Sequence, residues 1–120
     1  MNIEEYTKAA SRTCPDLGTD FLNELHMAMG MSTEAGELLD AYKKNFAYKR
    51  PLDKTNVCEE IGDLFWYAFN MCRLFNVKPE DIFDINIKKL KARFPDAFSE
   101  EKANNRNLDR ERQILEELGF

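Results

Sequence analysis

Val57, Ile61, Leu64, Phe65, Ala68, Cys72 and Phe75 recur at helical spacing over about five turns, the clearest periodicity in the chain. They predict a core helix over residues 54–75, opened by an Asp53 cap and ended by Asn76-Val77-Lys78-Pro79. A second long helix is expected before it, from a Thr19 or Asp20 cap to about Phe46, with Leu25, Met31, Ala35, Leu38 and Tyr42 in one broad stripe. Gly30 and Ser32 are its weak points, where a bend or a break is expected. The segment 45–53, with Lys49, Arg50 and Pro51, reads as the connection.

Shorter helices flank this pair. Residues 2–12 suit a helix capped by Asn2, with Ile3, Tyr6 and Ala10 on one side, and Thr13-Cys14-Pro15-Asp16-Leu17-Gly18 breaks it. Pro79 suits the first turn of a helix running to Phe94, with Phe83, Ile87, Leu90 and Phe94 as its apolar face and Pro95 as its stop. From Ser99 the chain is highly polar, with a last short helix expected from an Asn107 cap through Ile114, Leu115 and Leu118. No strand pattern competes. The expected fold is all-α: an antiparallel helical bundle in which the long helices form a hairpin, the Pro79 helix packs on them, and the end helices cover the rest. The division expected is a helical domain over residues 1–98, with its core at about 20–98, and a polar tail over 99–120. With so many large apolar groups on helices, completion of the bundle by dimerisation is expected.

Glu34-Ala35-Gly36-Glu37 and Glu60-Ile61-Gly62-Asp63 each place two carboxylates one helical turn apart, on one side of a helix. At about 100° per residue, Glu34 and Glu37 border the Leu38 stripe, sharing that flank with Gly30, Ala41 and Lys44. Glu60 and Asp63 border the next helix's stripe, with Asn56, Tyr67 and Asn70. Ordinary surface acids sit opposite a core, and a lone ExxE is usually a solvated face; two pairs flanking one seam favour convergence. Four converging anions need a cation among them, and oxygen ligands suit a hard divalent ion. Gly36 and Gly62 each cost about 1 kcal/mol in a helix interior relative to Ala, which points to close approach of backbone or ligand. Glu59 keeps three open roles: further ligand, water-orienting base, or surface residue. Asn86, Lys89 and Arg93 form a polar stripe beside the apolar face of the Pro79 helix, suited either to phosphates or to salt bridges with neighbouring acids.

Other chemistries find little footing. His26 is the only histidine, so a di-iron site with two Glu-x-x-His motifs is excluded. Cys14, Cys58 and Cys72 have no CxxC pairing and read as thiols of a reducing, cytoplasmic compartment. A net charge of −5 argues against a nucleic-acid partner but permits a phosphorylated ligand bound through metal. No apolar run approaches the ~20 residues of a membrane span, and none follows Met1 as a secretory signal would. There is no GxxxxGK[ST] phosphate loop.

With these pairs in the contexts Gly30-Met31-Ser32-Thr33-Glu34-Ala35-Gly36-Glu37-Leu38 and Glu59-Glu60-Ile61-Gly62-Asp63-Leu64-Phe65-Trp66-Tyr67, and with Asn86, Lys89-Leu90 and Arg93-Phe94-Pro95 following, the chain resembles the MazG-like all-α nucleoside triphosphate pyrophosphohydrolases over roughly residues 25–98. The resemblance implies a helical bundle assembled as a homodimer or homotetramer. It also implies Mg²⁺-dependent hydrolysis of a (deoxy)nucleoside triphosphate to monophosphate and pyrophosphate, with Mn²⁺ as a substitute ion. Glu34, Glu37, Glu60 and Asp63 match the metal ligands, and Lys89, Asn86 and Arg93 match phosphate-binding positions. Housekeeping pyrophosphatases are the nearest group by this resemblance; dUTPase-like and phosphoribosyl-ATP relatives share the motif. The rival of another class is a noncatalytic helical dimer that binds nucleotide or a protein partner.

Overall fold

The computed structural model describes residues 1–120 as helices and connections: α1 (Ile3–Ser11), α2 (Asp20–Tyr48), α3 (Lys54–Leu74), α4 (Pro79–Arg93), α5 (Glu100–Asn104), α6 (Leu108–Leu115) and a 3-10 turn (Glu116–Leu118). The all-α expectation holds. Every α-helix but α4, which opens on Pro79, starts where a side chain satisfies a free backbone N–H group. Asn2 and Glu5 form a capping box, Thr19 accepts from the Leu22 N–H, Asp53 from Asn56 and Asn107 from Arg110. Two compact units result, Met1–Asn76 and Val77–Phe120.

In the first unit α2 and α3 make the main contact and α1 packs on α3. α2 runs through Gly30 and Ser32 without the expected break and ends with Lys49 in the left-handed region at φ 55°. Gly30 is buried because the Tyr67 ring lies against its backbone; a Cβ there would overlap ring carbons Cδ1, Cε1 and Cζ. The glycine thus serves helix packing, and tertiary contact offsets its poor helix propensity. At Gly36 and Gly62 a Cβ would meet nothing within 4 Å, so no close approach within the chain accounts for either.

The seam between α2 and α3 is not the stripe expected from periodicity. Met27, Gly30 and Ala41 are buried on α2, while Leu25, Ala35 and Tyr42 are exposed. On α3 the buried groups are Glu60, Asn70 and Cys72, whereas Ile61, Phe65 and Phe75 are exposed. Met31, Leu38, Val57, Leu64 and Ala68 of the expected stripes are half-buried and Cys72 is buried, while on the flank bearing the acids Glu60 is buried, Glu34 half-buried, and Glu37 and Asp63 exposed. α1 is held to α3 partly by polar contacts. The Tyr6 hydroxyl donates to the Gly62 carbonyl (3.4 Å), Trp66 Nε1 to Thr13 Oγ1 (3.2 Å), and buried Asn70 Nδ2 to the Ala10 carbonyl (3.5 Å) and the Trp66 carbonyl (3.0 Å). Tyr6 also packs edge-on against Phe69, with ring centroids 5.6 Å apart.

In the second unit α6 and the 3-10 turn pack on α4. Ile85 and Ile114 are buried, but Phe83 and Ile87 of the expected α4 face are exposed. The polar anchor is Glu111, buried on α6. Its Oε1 accepts from Arg93 Nε (3.1 Å) and from Arg93 Nη2, and Arg106 donates to Oε2 (3.1 Å) and Oε1 (3.0 Å). These two guanidinium groups hold the Glu111 carboxyl down to about 2.

Gly30→Ala tests whether packing outweighs propensity. The methyl gains up to about 1 kcal/mol of helix propensity but overlaps the Tyr67 ring, and overpacking costs about 1–3 kcal/mol. Urea denaturation is expected to show net destabilisation, and a variant more stable than the parent would contradict the close packing.

Candidate functional site

The antiparallel pairing of α2 and α3 places successive turns opposite one another: Gly30 faces Tyr67, Glu34 faces Asp63, Glu37 faces Glu60, and Ala41 faces Asn56. An ExxE on one helix and an ExxD on the other therefore fall on two consecutive rungs of one seam. Glu34, Glu37 and Glu60 converge, each offering a carboxylate oxygen within 4.8 Å of the others. Asp63 stands beside this trio rather than within it; it is exposed, lines a pocket with Glu34, and its charge is felt by Glu34, Glu37 and Tyr6.

Electrostatics at the trio are strained. Burial, a hydrogen bond with Glu60, and the negative charges of Glu37, Asp63 and Glu60 push the Glu34 carboxyl up to about 7. Glu37 is raised as well, chiefly by its hydrogen bond with Glu60 and the Glu60 charge. Burial first and the Asp63 charge second raise the Tyr6 phenol. Two carboxylate oxygens, Oε2 of Glu34 and Oε2 of Glu60, are buried with no hydrogen-bond partner. Leaving such acceptors unpaired costs free energy, and a cation would satisfy both. An all-oxygen donor set fits a hard divalent ion. The residues present fit the group that the motif implies.

Asn56 orients the cluster. Its side-chain amide donates to Glu60 Oε1 at 2.8 Å and to Glu59 Oε2 at 3.3 Å. Glu59 itself is exposed and lies outside the converging trio. Beyond Glu34, a pocket of about 340 Å³ is lined by Glu34, Asp63, Trp66 and Tyr67. The Trp66 and Tyr67 rings meet edge to face at 4.9 Å, and His26 packs edge-on against Tyr67 at 6.0 Å with its buried Nδ1 unpartnered. The spacing singled out neither Asn56 nor Tyr67 as functional. The available signal was their position, four residues before Glu60 and four after Asp63, on the same helix side.

The remaining predicted positions lie in the second unit, on α4. Asn86 is exposed and Lys89 half-buried. Arg93 is half-buried and engaged by Glu111, so its guanidinium already serves a carboxylate.

The raised Glu34 carboxyl sets a pH dependence. The folded state binds a proton that the unfolded state has released between pH about 4.5 and about 7, so the stability of metal-free protein falls as pH rises through that window. Thermal melts in EDTA are expected to show that fall and its loss in Glu34→Gln, which at pH 8 should melt above the parent. A parent melting temperature that rises across the window, with Glu34→Gln following it, would remove the assigned repulsion.

No helix is long and apolar enough to cross a membrane. Neither a curated protein nor a solved structure gives a significant match to the chain. Residues 23–98, more than half of the sequence and including both acidic pairs, match the model of the MazG nucleotide pyrophosphohydrolase domain, and the chain belongs to that family.

Proposed function

We propose that this protein hydrolyses (deoxy)nucleoside triphosphates to monophosphate and pyrophosphate with Mg²⁺, as a housekeeping enzyme of the nucleotide pool. The observation that carries this is the trio Glu34, Glu37 and Glu60 with its two buried, unpartnered oxygens, on a seam whose family acts on nucleotides. Glu34, Glu37, Glu60 and Asp63 would hold the cation, which supplies charge neutralisation at the phosphates and a lowered pKa of water. Water attacks the α-phosphorus, the bond from that phosphorus to the α–β bridging oxygen breaks, and pyrophosphate leaves. Glu59, steadied by Asn56 through Oε2, has a second oxygen to take the proton of the attacking water. Asn56 fixes the rotamer of Glu60. Asn86 and Lys89 are proposed as phosphate-binding on the strength of the resemblance; the same assignment for Arg93 requires that it release or share Glu111.

Glu37→Gln and Asp63→Asn are expected to lower pyrophosphate release by at least about a hundredfold, the worth of several kcal/mol of charge stabilisation, while circular dichroism stays helical. Both variants retaining full activity would sink the proposal. Parent protein that binds Mg²⁺ yet turns over no triphosphate, canonical or not, would favour the noncatalytic reading.

We also propose that the active form is a homodimer or a homotetramer. On α2 the side opposite Gly30, Glu34 and Ala41 carries Leu22, Leu25, Met29 and Leu39, the last two 59% and 67% exposed, and on α3 Phe65 is 51% exposed. Large apolar groups bared on both helices favour burial against another chain, and a second copy offers the same groups. Sedimentation equilibrium is expected to give twice or four times the chain mass of 14.0 kDa, and Leu25→Glu with Met29→Glu to give the monomer. A parent protein monomeric at micromolar concentration would refute the assembly.

A further inference from the structure

The basic connection between α2 and α3 reads from sequence as a solvated charge run, but the structure gives it a shape. A pocket of about 400 Å³ is lined by Ala41, Lys44, Arg50, Pro51, Asp53 and Asn56. Arg50 is pinned there by its backbone: its N–H donates to the Lys44 carbonyl (3.3 Å), its carbonyl accepts from Asn45 Nδ2 (2.7 Å), and Pro51 restricts the next φ. The left-handed turn at Lys49 reverses the chain into this position. Ala41, buried and small, leaves room beside it.

The charges within reach are accounted for except one. Asp40 pairs with both Lys43 (3.3 Å) and Lys44 (2.9 Å), so two ammonium groups share one carboxylate. Asp53 Oδ1 is occupied as the N-cap of α3, accepting from the Asn56 N–H at 3.0 Å. The Arg50 guanidinium has neither a carboxylate nor a hydrogen-bond partner. Asn56 is a wall of this pocket and also the donor to Glu60, so the cationic pocket begins where the acid rungs end. Lys44 follows Glu37 by two helical turns, about 10 Å along the axis. At the opposite end of the rungs, the pocket of Glu34, Asp63, Trp66 and Tyr67 contains no cation.

We infer that Arg50, assisted by Lys44, binds the terminal phosphates of the triphosphate, so that the substrate lies along the seam with its phosphate tail toward the α2–α3 connection. This rests on the pyrophosphohydrolase reading for the identity of the ligand, while the pocket's preference for a phosphoanhydride chain rests on Arg50 and Lys44 alone. A guanidinium with free donors suits the planar, bidentate recognition of phosphate oxygens.

Titration calorimetry with pyrophosphate in the presence of Mn²⁺ tests it without turnover. Arg50→Ala and the double variant Lys44→Ala/Arg50→Ala are expected to weaken pyrophosphate binding by about tenfold or more. Binding of Mn²⁺ alone and of a nucleoside monophosphate should stay at parent values, and Arg50→Lys should recover part of the loss. Pyrophosphate affinity unchanged in the double variant, or lost equally for the monophosphate, would overturn the subsite even if the parent hydrolyses triphosphates. Arg50-dependent pyrophosphate binding by a parent that hydrolyses no triphosphate would uphold the subsite and refute the proposed activity instead.

Discussion

Two glutamates meeting across one helix seam, Glu60 buried and Glu34 half-buried, set the terms for the rest of the first unit. Glu34 meets Glu60 where burial and the neighbouring negative charges disfavour its ionisation, and each of the two leaves an oxygen without a partner. Such a pair opposes helix association, so the rungs on either side must be well packed. Tyr67 lies flush on Gly30 one turn before Glu34, and Met27 is fully buried just beyond. Asn56 contributes a hydrogen bond at the other end. The seam is thus closed at both ends and polar in the middle, an arrangement that favours binding over stability.

The same choice explains the outward face. With carboxylates on the inner flank, the apolar stripes of α2 and α3 are turned partly to the surface, and few apolar side chains are buried: Ala10, Met27, Ala41, Cys72, Pro79, Ile85 and Ile114. For a domain of this size that is a thin core. An acid-lined seam leaves apolar side chains of α2 and α3 unburied within the hairpin. Gly36 belongs to this outer face by helical phase, where a Cβ meets nothing within the chain.

Much of this was legible from spacing. Five helices, four caps and the convergence of Glu34, Glu37 and Glu60 follow from period, capping chemistry and the one-turn separation of the acids. Helical phase is legible in the sequence, but the depth of burial along each stripe is not, because periodicity reports where apolar groups cluster and not what packs against them. Leu25, Ile61, Phe65 and Phe83 are exposed. The break expected at Gly30 did not occur; Tyr67, 37 positions away, fills the space beside that glycine, and no local signal carries such a contact. The pairing of Arg93 and Arg106 with Glu111 was equally hidden, since it joins α4 to a tail that composition alone marks as polar.

Glu111 and Glu60 form an internal comparison. Both are buried to 4% exposure. Glu111 is met by two arginines through four donor contacts, and its carboxyl is held down to about 2, which is how a folded chain stabilises a buried anion from its own side chains. Glu60 receives an amide from Asn56 and faces two further glutamates, with no lysine or arginine on either rung. The nearest basic groups of the hairpin, Lys44 and Arg50, are placed one pocket away, where they face the cavity instead of neutralising the acids. The chain thus neutralises Glu111 with its own arginines but sets no cation of its own among Glu34, Glu37 and Glu60, where a bound cation would take that part.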